Sequence, residues 1–319
     1  MKKILLSILF TGGALAAFAQ QDGHFTQFFR HKLNYNPAFA GSTGDKICAG
    51  LIWRSQWLGF GSRDKGLTPQ TIVGDVHAPL FQGKLGIGLN IQNDEQGFEG
   101  TLIPTMSVAY HYTFQNQHKL SGGLGIGFIQ KSLDGGKLKP QQQGDDLIPL
   151  VLVNGNALDL NAGLYYQIPA ISVLNDVYIG LSATHINQAK VEYGPTKYNS
   201  KLHTYILAGA VYQLNTNFTL EPNLFIKNAV KTSVDINMMT TYNGSIMGGL
   251  TYRNIDAFAI LAGYKFSPDA SLMVSYDVTT SKISNFSSGT VEASYRHCFR
   301  FKTTPPVKTI RPIYTPRFL

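Results

Sequence analysis

The feature that most constrains this chain is a strict alternation of apolar and uncharged polar residues, repeated in many segments. In residues 85–92 every second residue is Leu or Ile, and the residues between them are Gly, Gly, Asn and Gln. Residues 158–167, 177–184 and 272–279 alternate in the same way. A period of two places successive side chains on opposite faces of a strand, so the pattern predicts strands whose two faces meet different environments.

The polar faces of these strands favour a membrane barrel over a soluble β-sandwich. They carry Gly, Ser, Asn, Gln and Tyr, and charged residues make up only 14% of the chain, against about 25% in a typical soluble domain. The predicted strands have about 10 to 14 residues, which suits a tilted strand that crosses a bilayer. Aromatic residues near strand ends are consistent with interfacial girdles, although they also cap ordinary sheets: Trp53, Trp57, Tyr110, Tyr112, Tyr264 and Phe266.

We predict an all-β protein, a transmembrane antiparallel up-and-down barrel over residues 46–301 with fourteen strands, an even number as in bacterial single-chain barrels. The predicted connections alternate between the two rims, and the long ones, 58–68, 133–154 and 189–199, all fall at the same rim. With both chain termini in the periplasm, the short turns fall there and the long loops fall outside. The predicted strands are 46–57, 69–80, 84–95, 100–114, 118–132, 155–168, 176–188, 201–214, 217–228, 232–243, 245–253, 256–266, 270–281 and 289–301.

The start of the chain has the order of a secretory signal peptide. A basic Met1-Lys2-Lys3 precedes an apolar run, and Ala17-Phe18-Ala19 forms an A-x-A cleavage site. We therefore predict that residues 1–19 are removed and that the protein is exported to the outer membrane. The alternative is a buried N-terminal helix.

Residues 20–45 are predicted to form a periplasmic segment ahead of the first strand. Its apolar residues between 25 and 33 recur at helical spacing, and Asn36-Pro37 then breaks the helix. Two interpretations carry equal weight: a helix that covers the periplasmic mouth, or a docking element for a partner. The candidate partner-binding residues are Phe25, Gln27, Phe28, Phe29, Asn36 and Pro37.

A set of mostly charged residues falls on the predicted polar faces and is expected to line the lumen. These residues form either a polar conduit or partner pocket, or an internal ion-pair network that stiffens the wall. We favour the network, because charges inside a barrel usually pair. The predicted lumen-lining residues are Arg54, Gln56, Asp94, Asp159, Glu221, Asp277, Glu292 and Arg296.

No catalytic or cofactor-binding motif is evident in the sequence. Gly123-x-Gly125-x-Gly127 indicates a strand with one small face, because no third glycine follows at dinucleotide-loop spacing. The eight His residues are scattered, and no pair has metal-ligand spacing. The composition also lacks the dense basic patch of a nucleic-acid binder. We predict a protein that is not an enzyme and has no cofactor, metal or nucleic-acid partner.

The residues after the last predicted strand, 302–319, form a basic tail. Four prolines favour extended polyproline II, and four cations meet no acid. The tail is either a periplasmic docking element or a frayed terminus. The candidate partner-binding residues in it are Lys308, Arg311 and Arg317.

Cys48 and Cys298 are the two cysteines of the chain and lie 250 residues apart. Barrel closure makes the first and last strands neighbours, and the alternation turns both thiols inward at similar depth. The periplasm is oxidising, so a disulfide across the seam is feasible. The alternative is two small buried residues that the strand register keeps apart.

Several motifs resemble those of a known family. Phe25-Thr26-Gln27-Phe28-Phe29 and Asn34-Tyr35-Asn36-Pro37-Ala38-Phe39-Ala40-Gly41 resemble the N-terminal signature of the PorP/SprF outer-membrane proteins of the type IX secretion system, with Phe28 and Phe39 where the family usually has Tyr. Arg54-Ser55-Gln56-Trp57 is similar to the motif that ends the family's first strand. Further similar segments follow in family order: Pro69-Gln70-Thr71, Leu85-Gly86-Ile87-Gly88, Asn93-Asp94-x-x-Gly97 and Glu221-Pro222-Asn223-Leu224.

The resemblance implies a non-enzymatic barrel in the outer-membrane lipids of a Bacteroidetes-type bacterium. It implies periplasmic type IX ring components as partners, and a role in protein secretion, gliding motility or cell-surface attachment of a client protein such as an adhesin. The alternative function is a passive porin or small-solute channel.

Overall fold

A closed antiparallel β-barrel forms the body of the molecule. The structure is a computed structural model that describes residues 22–60, 68–138, 149–254 and 256–300. Within these residues fourteen strands close the barrel, and two more form a separate hairpin. The sixteen strands are β1 (Ile47–Ser55), β2 (Gln70–Leu80), β3 (Leu85–Gln96), β4 (Glu99–Thr113), β5 (Lys119–Asp134), β6 (Leu152–Ile171), β7 (Leu174–Thr184), β8 (Lys190–Tyr193), β9 (Thr196–Asn199), β10 (His203–Gln213), β11 (Phe218–Asn228), β12 (Thr232–Tyr242), β13 (Ile246–Arg253), β14 (Ala257–Ser267), β15 (Ala270–Thr279) and β16 (Thr290–Phe299).

The barrel has up-and-down topology, as predicted. Each barrel strand pairs antiparallel with the next one in the chain, β7 pairs with β10 across the hairpin, and β16 pairs with β1 to close the sheet. The predicted fourteen strands are thereby confirmed. Closure leaves no unpaired strand edge in the wall, which a bilayer requires because lipid tails cannot bond a free N–H or C=O.

The two rims of the barrel differ in the length of their connections. At one rim, called here the short-turn end, neighbouring strands are joined by tight turns such as Ser172-Val173 between β6 and β7. β1 begins and β16 ends at this rim. The opposite rim, called here the long-loop end, carries the longer connections. The predicted loop 189–199 contains the hairpin β8–β9, and β7 stops at Thr184, short of the predicted 188.

The two faces of the wall have the predicted character. In β5 the outward Leu124, Ile126 and Phe128 are 70%, 53% and 54% exposed, while glycines alternate with them on the inward face. Exposed apolar side chains continue around the wall on the other barrel strands. A surface of this size is stable only when lipid covers it, so the wall has the form of an outer-membrane barrel. Among the described residues, no helix is long and apolar enough to cross a membrane.

The segment ahead of β1 lies inside the barrel. Residues 22–45, called here the plug, contain three 3-10 turns, Phe28–Arg30, Lys32–Asn34 and Pro37–Phe39. The sequence predicted a regular helix between 24 and 33 with one apolar face. A wall surrounds the plug on all sides, so its side chains point in several directions and short turns replace the one-sided helix. The plug and the inward wall together form the buried core.

A disulfide joins the first and last strands at the barrel seam. The register places Cys48 opposite Cys298, and their sulfur atoms are bonded. The nearby ammonium of Lys46 bonds the carboxylate of Asp269 in the β14–β15 turn, which lowers the pKa of Asp269. The plug therefore ends at a point that is fastened both covalently and by an ion pair.

The predicted signal peptide, 1–19, and tail, 302–319, lie outside the described residues.

The seam disulfide gives a direct chemical prediction. Protein purified from outer membrane and alkylated without reduction should carry no thiol adduct, and reduction should expose two. The C48S/C298S double variant should lose about 2–4 kcal/mol of unfolding free energy, because the bridge restricts the unfolded chain. Mass spectrometry and the temperature at which heat-modifiable gel mobility is lost measure the two effects. Two free thiols in the unreduced protein would contradict the bridge.

Candidate functional site

The plug threads the lumen from one rim toward the other. Its first described residue, Asp22, contacts His185 and His203 at the long-loop end of the wall. Its last residues lead into β1 at the short-turn end. Residue 22 and the end of β16 therefore lie toward opposite rims, whereas the sequence predicts both termini on the periplasmic side. The plug crosses the lumen from the long-loop end to the short-turn end, where β1 begins.

Glu292 of β16 holds the backbone of the plug near the long-loop end. Its two carboxylate oxygens accept hydrogen bonds from the backbone N–H groups of Thr26 and Gln27, at 2.8 and 3.1 Å. Both N–H groups are buried and have no strand partner, so the carboxylate supplies the bonds that a sheet would otherwise supply. Hydrogen bonds to an ionised carboxylate are stronger than neutral ones. Glu292 thus fixes the height of the plug in the barrel.

Buried ion pairs surround this contact. Arg54 bonds Glu292 and lies 3.3 Å from Asp277, whose carboxylate also accepts from the Thr26 hydroxyl at 2.7 Å. Arg253 bonds Asp235 at 2.9 Å and lies 3.5 Å from Asp277. All of these wall side chains are at most 4% exposed. Burial makes an unpaired charge costly, so the network is stable only as a set.

The middle of the plug is held by a second polar group nearer the short-turn end. The guanidinium of Arg30 donates to Ser294 at 2.9 Å and to Ser271, while Arg296 donates to the carbonyl of Arg30. The His31 ring lies 2.6 Å from a carboxylate oxygen of Asp75. Wall strands on both sides of the seam therefore hold the same turn of the plug.

Aromatic packing fastens the plug to the opposite side of the wall. Phe28 stacks on Phe225 with ring centroids 5.1 Å apart. Tyr35 lies 4.7 Å from Phe225 and 5.3 Å from Tyr205. The plug residues Phe28 and Tyr35 are at most 1% exposed. The segment is thus packed like a protein core.

Inward glycines let the plug backbone approach the wall. A Cβ atom at Gly123 would lie 2.3 Å from the backbone nitrogen of Ala38, and one at Gly86 would lie 1.9 Å from the carbonyl oxygen of Ala40. These distances are far below any normal contact, so a side chain would displace the plug. At Gly123, this close approach explains why the inward face of the Gly123-x-Gly125-x-Gly127 strand has no side chain.

The hairpin β8–β9 fills part of the barrel interior at the long-loop end. Val191 and Tyr193 are buried against the inward residues Ile103 and Ile129. The Tyr193 hydroxyl bonds Glu99 at 3.0 Å. The plug and this hairpin together occupy much of the space that a porin would leave to water.

Separate cavities remain on both sides of the buried middle of the plug. One of about 690 Å³ lies at the long-loop end beside Arg253 and Asp256. Two others, of about 250 and 420 Å³, lie in the short-turn half and share Lys32 and Glu221 in their linings. Gln27 and Phe28, with no exposed surface, lie between the two regions.

The predicted lumen-lining residues divide between the two halves of the barrel. Arg54, Asp277 and Glu292 meet in the network around the plug, while Asp159 lies 2.7 Å from His185 and Asp94 bonds Thr71 at 2.6 Å. Gln56 and Asp94 line a cavity of about 240 Å³ with Asp22. Arg296 contacts the plug, and Glu221 faces Lys265 at 3.9 Å in the short-turn half. Most of these side chains therefore contact a charged or polar group of the plug or of another wall strand.

The predicted N-terminal docking residues lie inside the barrel. Phe25, Gln27, Phe28, Asn36 and Pro37 are buried, and Phe29 is half-buried beside a cavity. Their contacts are with the wall; Asn36, for example, donates to the carbonyl of Leu164 at 2.9 Å. The sequence placed them outside because a one-sided aromatic pattern fits a docking helix and a lumen plug equally well. The predicted tail residues Lys308, Arg311 and Arg317 lie outside the described residues.

A cluster of histidines and acids at the start of the plug is not evident from the sequence. His185 and His203 have ring centroids 5.1 Å apart, and both rings contact the carboxylate of Asp22. The two histidines are not a motif in the sequence, because the hairpin separates their strands. The β7–β10 pairing and the path of the plug bring them together. That pairing was predictable, but the position of Asp22 was not.

Solved structures with the same architecture are outer-membrane barrels. The CymD monoaromatic hydrocarbon channel matches with a TM-score of 0.52 and 10% sequence identity, over 84% of this chain and 92% of that one. A TodX deltaS2S3 mutant monoaromatic hydrocarbon channel has a TM-score of 0.48 and 9% identity, over 84% and 94%. The translocator domain of autotransporter NalP from Neisseria meningitidis has 0.42 and 9%, over 81% and 89%. At 10% identity the CymD match shows the fold alone, and the fold class is that of an outer-membrane β-barrel.

The family is shown by the sequence itself. The profile of the type IX secretion system membrane protein PorP/SprF family matches residues 17–297. The chain belongs to this family. No curated protein sequence matches the chain.

The close approach at Gly123 predicts an asymmetry between two adjacent glycines. Gly123→Ala should displace the plug and lower the unfolding free energy by about 1–3 kcal/mol, the usual cost of overpacking. Gly122→Ala is the matched control, because its Cβ would point outward and lie 3.8 Å from the nearest side-chain atom. The midpoint of heat-modifiable mobility measures stability, and protease cleavage within residues 22–45 reports plug release. Equal stability of the two variants would contradict the plug position.

Proposed function

We propose that the protein is a non-enzymatic outer-membrane barrel subunit of the type IX secretion and gliding machinery. In this role it binds periplasmic ring components and aids the export or surface attachment of a client protein such as an adhesin. Membership of the PorP/SprF family supports the assignment to this system. The plug is the observation that supports a docking role, because a barrel whose lumen is packed with its own chain is suited to binding other proteins at its rims.

The short-turn end is the proposed periplasmic face. Outer-membrane barrels have short turns on the periplasmic side and longer loops outside. β16 ends at the short-turn end, so the tail after it would begin in the periplasm. The tail residues Lys308, Arg311 and Arg317 are the proposed docking cations, and an acidic surface or an open sheet edge on a ring component would be their partner.

The buried plug argues against the alternative function, a passive porin. Solute passage needs a continuous aqueous path, and the cavities of this lumen lie on either side of fully buried plug residues. A permanently open porin leaves its lumen to water, whereas here the buried carboxylate of Glu292 holds the backbone of the plug.

Affinity purification from native outer membrane, combined with planar-bilayer recording, separates the two functions. We expect ring components to co-purify with the protein at physiological salt, and the isolated barrel to show no stable open-channel current. The matched control is an unrelated outer-membrane barrel purified from the same cells. A stably conducting barrel that recovers no ring component would overturn the proposed function in favour of a porin.

We expect the tail to increase the yield of co-purified ring components but not to be needed for barrel assembly. A truncation after Phe301 should keep heat-modifiable mobility, because β16 ends at Phe299, while the yield of ring components falls. A full-length K308Q/R311Q/R317Q variant tests the charges alone. It should recover fewer ring components, and the recovery that remains should depend less on salt concentration. Unchanged recovery with both variants would exclude the tail as a docking element. Loss of barrel assembly would instead assign the tail a role in folding.

A further inference from the structure

Three side chains at the start of the plug converge on one point. An oxygen of the Asp22 carboxylate, Oδ2, lies 2.9 Å from Nε2 of His185 and 3.0 Å from Nδ1 of His203. The three ligand atoms all lie within 4.8 Å of one another. The histidine side chains are 4% and 2% exposed, and that of Asp22 is 18% exposed. They come from the plug, the end of β7 and the start of β10, so the tertiary structure alone assembles them.

The His185 ring lies between two carboxylates. Its Nδ1 atom lies 2.7 Å from Asp159 and its Nε2 atom faces Asp22, so both ring nitrogens meet carboxylate oxygens. A neutral imidazole can donate from only one nitrogen. The ring therefore satisfies both contacts either as an imidazolium or with a metal ion in place of the Nε2 proton.

We propose that Asp22, His185 and His203 form a site for a divalent transition-metal ion of the zinc class, which fastens the start of the plug to the wall. Two imidazole nitrogens and one carboxylate oxygen are a ligand set that Zn²⁺ prefers, with a fourth position for water. Ligand atoms about 2.0–2.1 Å from a tetrahedral ion are about 3.3 Å apart. The distances from Oδ2 of Asp22 to the nitrogens of His185 and His203, 2.9 and 3.0 Å, are close to this value, and the two nitrogens lie within 4.8 Å of each other.

The groups around the three ligands fit a metal site. Asp159, on β6, takes the place of the outer carboxylate that orients a metal-bound histidine. Asp22 and Asp159 together carry the two negative charges that offset a dication. The ammonium of Lys227 donates to the backbone carbonyl of Asp22 at 2.7 Å, and the Tyr205 hydroxyl donates to Oδ2 of Asp22 at 3.3 Å, so both groups help to position that residue. Asp22 also lines a cavity of about 240 Å³.

The consequence is a plug fastened at both ends by different chemistry. The seam disulfide and Lys46 hold the end that enters β1, and the metal holds the start at the opposite rim. The proposal does not depend on the secretion partners, because every ligand belongs to this chain.

The test is a metal titration of the full mature chain in detergent, with any affinity tag removed and the protein first dialysed against a chelator. Calorimetry with Zn²⁺ alone should give one ion per chain, and Co²⁺ should give the absorption spectrum of a tetrahedral site. His185→Ala and His203→Ala should each lower the Zn²⁺ affinity by at least about tenfold, and Asp159→Asn by about 10–100-fold, the usual effect of an outer-shell change.

His118→Ala is the matched control, because His118 lies at the short-turn end and bonds Tyr166. It should bind Zn²⁺ as the unsubstituted protein does. Heat-modifiable mobility verifies that each variant is folded; if a wall variant fails to fold, Asp22→Asn removes a ligand from the plug without altering a strand. Failure of the unsubstituted protein to bind Zn²⁺, or equal binding by all the variants, would overturn the site.

Discussion

The contact between the inward face of the closed sheet and the plug that fills its lumen governs the rest of this structure. Fourteen strands enclose a lumen whose inward face carries glycines and buried charges. Water would solvate those charges in an open channel, but here the chain itself supplies the partners. Glu292 is the clearest case, because its carboxylate receives two backbone N–H groups of the plug and the guanidinium of Arg54. Removing either side would leave buried charge or buried backbone without a bond.

The plug and the wall are therefore complementary parts of one core. Phe225 and Tyr205 supply an aromatic surface on one side of the lumen, and Gly86 and Gly123 supply a flat surface elsewhere on the wall. The plug adapts to this shape with short 3-10 turns, because no single face of a regular helix could meet a wall on every side. Its continuity with β1 joins plug position to seam closure, and the Cys48–Cys298 bridge lies at that junction.

A filled lumen also bears on the proposed role in secretion. The chain belongs to the type IX secretion system membrane protein PorP/SprF family, and a barrel that is closed by its own chain is better suited to presenting its rims to other proteins than to passing solutes. The two rims differ in kind: one has tight turns and the exit of β16, and the other has long connections, the inward hairpin and the histidine cluster. Partners of different chemistry are therefore expected at the two rims.

The sequence by itself determined the wall. Period-two alternation located every barrel strand and assigned faces to residues such as Asp159 and Glu292, because successive side chains of a strand point to two different environments. Closure of the barrel made the first and last strands neighbours, because a closed sheet has no edge. Only the tertiary structure decided what fills the lumen. The contacts of Thr26 with Glu292 and of Asp22 with His185 join residues more than 160 positions apart, and no local periodicity records such a pair. An aromatic pattern at helical spacing specifies what must be buried, whereas the shape of the surrounding wall specifies where.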